Sequence, residues 1–345
     1  MSVPCSFCEA ELQPMQPPEG EVHLMACDSC LNPLAVEHSQ SGPVLRRLPH
    51  EQDLRTLLPP ESLGGRLLNA MREHLDDLPI LPEVSQRILR LLDNSDSSMN
   101  DLANVVREDA VIAANVLKVS NSAAYGGLDS ITELDAACTR LGQSSISNIV
   151  QTLAGGKLFQ SAHGDIDRLM KKLWRHSIAT ALSANELAGV LALPRKDAIY
   201  LQGLFHDIGK VTILDLIGNN VDGLFDEIAQ SPQLLQEILD RYHALVGLHV
   251  MQAWNFAPRF LISTYYHAAP DRVPCEKWLR ATHVIALANK VAYVAGFGFR
   301  ELEDQAVLLD DPSTIYLKLT DIKLAGLRAD LEDRLESLVG ALEAA

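Results

Sequence analysis

Apolar positions recur every three or four residues along most of the chain, the period of helices that bury one face. After Leu78, one such face carries Val84, Ile88, Leu91 and Leu92, and the next carries Leu102, Val105 and Val106. Pro82 stands where helices begin, and the DNSDSS cluster at 93–98 breaks the pattern. Further helices are predicted over 109–122, 131–142 and about 143–159, with a turn at Gly126-Gly127. Asn121 and Ser122 read as capping and turn residues. Longer periodic stretches follow at 171–193, at 195–217 behind Pro194, and at 281–296. A shorter one starts near His243 and ends near Trp254. Over 320–345, Leu324, Leu327, Leu331, Leu335, Leu338 and Leu342 form one stripe behind Thr320, a candidate N-cap whose capping box is incomplete because Lys323 stands at N3. That stripe serves either as a final helix on the bundle or as a surface for a partner or a second copy. The pattern as a whole predicts an all-α, multi-helix bundle with brief loops.

Composition supports that reading. Of 345 residues 47% are hydrophobic and only 5% aromatic, with Leu and Ala recurrent, which favours helices packed on helices. The formal charge of −16 argues against nucleic acid and against anionic lipid as partners. No uninterrupted apolar stretch approaches membrane-spanning length, and no basic segment followed by an apolar run opens the chain, so the expected location is cytoplasmic.

The first 30 residues follow another rule. CSFC (5–8) and CDSC (27–30) are separated by 18 residues. Each CxxC presents two thiolates to one point, and two such knuckles complete a tetrahedral shell, so Cys5, Cys8, Cys27 and Cys30 predict a structural zinc ribbon. A disulfide framework is the alternative, but no secretory sign accompanies it. Four thiolates leave no open coordination position. Residues 1–50 hold two Arg, no Lys and six Asp or Glu, which suits protein docking or a folding role better than nucleic acid. His23 lies in the ribbon loop as a neighbour of a shell already complete. Cys138 and Cys275, alone in apolar surroundings, read as buried thiols.

The stretch GLFHDIGKVTIL (203–214) sets His206 beside Asp207 in apolar company. Consecutive helical residues point about 100° apart, so both reach one cation only near a helix end or beside another helix. Lys210 follows at i+4 and i+3 and projects from the same face. His176 on the preceding helix and His243, His267 and Asn289 on later ones are further candidates, whereas His249, His283 and His163 are assigned no chemistry. The same His and Asp residues would also suit a hydrogen-bonded network without any cation.

LPILPEV, DLANVVREDAVIAANVLKVSNSAAYG and AACTRLG, taken with the HD pair, resemble the HDOD family of bacterial signalling output domains, relatives of the HD phosphohydrolases. The resemblance runs from about residue 70 to 290 and implies an HD-type bundle in the C-terminal half of an all-helical domain. Taken with the ribbon, linker and tail read from the residues, it divides the chain into a zinc ribbon at 1–40, a linker at 41–68, an HDOD domain at 69–300 with halves at 69–160 and 161–300, and an acidic helical extension at 301–345. It implies His176, His206, Asp207 and Asn289 as ligands of one divalent ion (Fe, Mn, Mg or Zn). Asp207, His243 and His267 would hold a second, and Lys210 would contact a phosphate. Two departures stand out: Asn289 replaces an expected Asp, and Ala268 stands where dinuclear enzymes commonly carry a second His. VTILDLIGNN after HDIGK also lacks the GYP extension of cyclic-di-GMP phosphodiesterases. The implied function is regulation through protein partners, with a pocket open to a metal or a nucleotide; the alternative is a metal-dependent phosphohydrolase in which Asp207 and Lys210 act catalytically.

Overall fold

The computed structural model describes residues 2–19, 21–30, 32–48, 61–74, 82–93, 98–122, 125, 131–219, 223–228, 232–298, 308–320, 322–326 and 339. Among the described residues, five short strands open the chain. β1 (Val3–Pro4) pairs antiparallel with β2 (Glu11–Leu12), and β3 (Val22–Ala26), β4 (Pro33–Glu37) and β5 (Val44–Arg47) form an antiparallel meander. Leu24 faces Ala35 and Val36 faces Leu45 across it. The Ser-Gly-Pro turn before β5 is made by Gly42 at φ 124°, so this third strand falls inside the segment read from sequence as linker. Leu34, Val36 and Leu45 close a small core around the cysteines with Phe7 and Leu12.

The helices then follow as α1 (Leu63–Glu73), α2 (Glu83–Asp93), α3 (Met99–Arg107), α4 (Ala110–Ser120), α5 (Leu134–Gly155), α6 (Gly164–Val190) and α7 (Lys196–Phe205). After them come α8 (Ile208–Gly218), α9 (Leu224–Ile228), α10 (Pro232–Ala253), α11 (Pro258–Tyr266), α12 (Glu276–Ala292) and α13 (Pro312–Tyr316). Their ends carry local chemistry. Ser98 and Asp101 form a reciprocal capping box on α3, and Asp109 caps α4 by accepting from the Val111 and Ile112 amides. The Asn121 side chain ends α4 and bridges to Ile131 through both backbone groups, which bears out its reading as a turn residue. α5 joins the two helices predicted over 131–142 and 143–159, bending at Gly142, whose φ is 74°.

The chain forms two compact units. The first contains residues 1–79, 161–167 and 206–283, and the second 80–160, 168–205 and 284–345. In the first, α8 packs along α10, and α10 and α11 both meet β3. Buried residues surround α8 on all sides, as befits a central helix. Gln252 of α10 fastens the ribbon: its side chain accepts from the Ala26 amide at 2.7 Å and donates to the Ala26 carbonyl at 3.0 Å. Lys277 pairs with Glu21 on the same unit and helps hold that carboxyl below its ordinary range.

In the second unit, α5 receives α2, α3, α4 and α7. Tyr200 of α7, fully enclosed, shares a hydrogen bond with Thr152 of α5, and burial pushes its phenol well up. Beyond α12 the backbone makes one π-helical turn over Tyr293–Phe297, with Gly296 at φ 83°. The predicted C-terminal stripe lies almost wholly outside the described residues, apart from Leu324, which is buried.

Candidate metal centres

The ribbon brings together the four cysteines that the spacing predicts. Their sulfurs lie within 4.8 Å of one another, with Cys5–Cys30 at 3.8 Å and Cys8–Cys27 at 3.7 Å. Four thiolates around zinc at about 2.3 Å would lie about 3.8 Å apart along the tetrahedron's edges. The observed separations match that figure and are far from a disulfide bond of about 2.05 Å. The turns are built for it. The Glu9 amide donates to the Cys5 carbonyl, with Glu9 itself at φ 64°, and the Phe7 amide points at Cys5 Sγ from 3.4 Å. The hydrogen bond from the Cys27 thiol lowers the Cys30 thiol and so favours the thiolate that a metal would take. His23 bonds Glu21 at 3.4 Å and is not in the cysteine group.

The HD pair sits at a junction. α7 ends at Phe205 and α8 begins at Ile208, so His206 and Asp207 occupy the turn between two helices. The sequence places them within one helix, where reaching one cation requires a helix end or a neighbouring helix, and the break supplies the first. Asp207 is fully enclosed. Its Oδ2 accepts from Lys210 Nζ at 2.7 Å and lies 3.3 Å from His206 Nε2. Its Oδ1 faces His243 Nε2 at 3.6 Å and His267 Nε2 at 3.5 Å, and the two Nε2 atoms are 3.2 Å apart.

The ring tautomers follow from the backbone. His243 Nδ1 donates to the Leu239 carbonyl at 2.6 Å, and His267 Nδ1 donates to the Thr264 carbonyl at 2.9 Å. A carbonyl only accepts, so Nδ1 carries the proton of each neutral ring and Nε2 presents a lone pair. Burial holds both rings neutral, pushing His243 down to about 3 and lowering His267. Burial alone would raise the Asp207 carboxyl, but its contacts with His206 and Lys210 outweigh it and hold it well below the carboxylate range. Two lone pairs and a carboxylate oxygen thus converge, and none of the three can donate to another. Such a set suits a cation. Backbone carbonyls orienting metal-binding imidazoles are the usual outer support for one.

Two glycines make the convergence possible. A Cβ on Gly209 would lie 1.9 Å from the His243 carbonyl oxygen, and one on Gly247 would lie 2.7 Å from Thr264 Cγ2. α8 and α10 therefore touch backbone to backbone beside a ligand. Sequence reasoning missed this role, although glycine inside a helical pattern is the signal for such contact. It also placed His243 at a helix start, whereas α10 begins at Pro232 and His243 lies near its middle.

His176 and Asn289 belong to the second unit, on α6 and α12. His176 repeats the tautomer logic. Its Nδ1 donates to the Phe297 carbonyl at 3.2 Å, a group positioned by the π-turn, while Thr180 Oγ1 is 3.5 Å from Nε2. Asn289 Oδ1 is buried and accepts no hydrogen bond among the described residues, an unsatisfied acceptor of the kind a cation would complete. Of the histidines given no role, His283 faces Asp271 at 3.5 Å, His163 lies against Phe225, and His249 is buried. Cys138 and Cys275 are buried thiols as read.

Comparison with known proteins agrees with this arrangement. The HDOD domain pattern matches residues 78–270. An uncharacterised protein of Treponema pallidum is 26% identical over 231 residues, 65% of this chain but 44% of that one, so the chain spans less than half of that relative. Among solved structures, an HDOD domain protein of unknown function from Geobacter sulfurreducens superposes with a TM-score of 0.65 at 22% identity, over 82% of this chain and 98% of that one. A Shewanella amazonensis protein whose name proposes a metal-dependent phosphohydrolase gives 0.60 at 24%, covering 81% and 99%. A Marinobacter aquaeolei protein whose name proposes signal transduction gives 0.60 at 19%, covering 82% and 67%. No described helix is long and apolar enough to cross a membrane. With its family pattern matched over more than half its length and its helices arranged as in these structures, the chain belongs to the HDOD family.

Proposed function

We propose that this protein is a cytoplasmic regulator that acts by binding other proteins through its HDOD domain, and that its HD pocket holds a divalent cation for structure rather than turnover. The observation that carries the reading is the convergence of Asp207 Oδ1 with the Nε2 atoms of His243 and His267, both rings locked by carbonyls. Two imidazoles and a carboxylate suit Zn, Mn or Fe better than Mg, which prefers oxygen throughout. Lys210 supports the non-catalytic role. The residue is 4% exposed and its ammonium is tied to Asp207, where it neutralises a ligand instead of meeting a phosphate. In the ribbon, zinc is the metal that four thiolates at this spacing select.

The Shewanella neighbour's name and the surviving ligand set support a second reading, phosphohydrolysis on a nucleotide or cyclic dinucleotide. Elemental analysis of the full chain and of His243→Ala, with hydrolysis of bis-p-nitrophenyl phosphate assayed alongside, separates the two. We expect zinc from the ribbon in both proteins, further metal only in the native chain, and no hydrolysis. Hydrolysis that Asp207→Ala abolishes would establish the enzyme instead.

A further inference from the structure

The second unit holds a cavity of about 780 Å³ that the HD reading leaves unused. Its floor is apolar: Ile112 of α4 and Phe159 are buried there, and Trp174 of α6 stacks at a tilt on Phe159, ring centroids 4.9 Å apart. Gly156 fixes the indole from the side, since a Cβ there would come within 3.2 Å of it. Asn115, 7% exposed, sets a buried amide among these groups, and Gln160 adds an exposed one at the edge.

The rim has the opposite character. Lys157, Lys171, Lys172 and Arg175 are exposed around the mouth. The one carboxylate in the lining, Asp109, is engaged in capping α4. Over the whole chain acids outnumber bases 45 to 29, so four cations facing one carboxylate reverse the protein's charge at this spot. An aromatic floor, a buried amide and a cationic rim within a cavity in the usual range for small ligands define a planar, anionic guest.

We propose that this cavity binds a nucleotide. The base lies against Trp174 and Phe159 with the Asn115 amide at its edge, and the phosphates meet Lys157, Lys171, Lys172 and Arg175. Four cations suit at least two phosphates, so the class is a nucleoside diphosphate or longer. The site lies on different residues from the HD pocket and goes beyond the function proposed above.

Titration calorimetry on the full chain with ADP and GDP tests it, with adenosine and inorganic phosphate as controls. Both lysines chosen for change are exposed, so Lys157→Ala/Lys172→Ala should fold; its thermal transition checks this. We expect saturable binding near the micromolar range, weakened roughly tenfold or more in the double variant, and far weaker binding of adenosine or phosphate alone. Trp174→Phe should remove the fluorescence change that accompanies binding. Absence of saturation, equal affinity in the double variant, or phosphate binding as tightly as ADP would overturn the proposal. So would binding that survives in the lysine variant but disappears in His243→Ala, which would return the nucleotide to the HD pocket.

Discussion

Gly209→Ala is the sharpest test of how the HD site is assembled. The added Cβ would lie 1.9 Å from the His243 carbonyl oxygen and 2.6 Å from the Gly247 nitrogen. Real Cβ contacts almost never fall below 3.0 Å, so α8 and α10 must part by more than about 1 Å. Both obstructing atoms are backbone, and no rotamer change relieves them. Overpacking a core costs about 1–3 kcal/mol, and the backbone clash puts this variant at the upper end, about 3 kcal/mol. Gly247→Ala is milder. Its Cβ meets Thr264 Cγ2 at 2.7 Å, a methyl group, and clears the Gly209 nitrogen at 3.4 Å. About 1–2 kcal/mol is expected. Thr264→Ser removes that methyl, so the double variant should be more stable than the two single changes summed, with a coupling above about 0.5 kcal/mol. Urea unfolding gives the energies. Metal content gives the functional half: the atom pushed aside belongs to His243, so folded Gly209→Ala should bind less HD-site metal. Stability within about 0.5 kcal/mol of native, or a greater cost for Gly247→Ala, would refute the argument.

Three further outcomes follow from other contacts. Asp207→Ala leaves buried Lys210 without its carboxylate and should cost about 3–5 kcal/mol by denaturant unfolding, much of it returned in Asp207→Ala/Lys210→Met; equal losses in both would contradict the pairing. Cys8→Ser should remove one zinc per chain and lower the transition temperature, whereas an unchanged zinc content would mean the four sulfurs do not share an ion. Gln252→Ala deletes two hydrogen bonds to Ala26, costs about 1–3 kcal/mol, and should speed proteolysis within residues 2–48; unchanged cleavage there would show that the ribbon is secured by other contacts.

Those parts of the fold written in contiguous residues were legible beforehand. CSFC and CDSC specify their knuckles locally, and HDIGK places the HD pair and Lys210 within five residues. The bend at Gly142 fell where two predicted helices met, and Asn121 acted as a turn residue. What escaped notice depends on partners distant in sequence. That the Leu239 and Thr264 carbonyls fix the rings of His243 and His267 is invisible, because every residue has a carbonyl and only tertiary packing selects which one a ring meets. Gly209 and Gly247 are 38 positions apart, and each alone reads only as a weak point in a helix. β5 was absorbed into a presumed linker because VLRR is too short to show alternation once a turn precedes it. The HD pair was assigned to a single helix because apolar periodicity continues across Phe205–Ile208, and nothing in it marks a two-residue break.

The division of the chain into two interleaved units also governs how it is made. Each unit draws on three separate stretches, and the first is not complete until residue 283 has been synthesised. On the ribosome, the ribbon's sheet can close early, but the helix that clamps it through Gln252 emerges some 200 residues later. Final consolidation is therefore late and rests on contacts between distant parts of the sequence, which places this protein toward the slow end of folding for a helical chain. A fragment trimmed to residues 78–270 would start life without the strands against which α10 and α11 settle, and should need those strands supplied separately to reach the same packing.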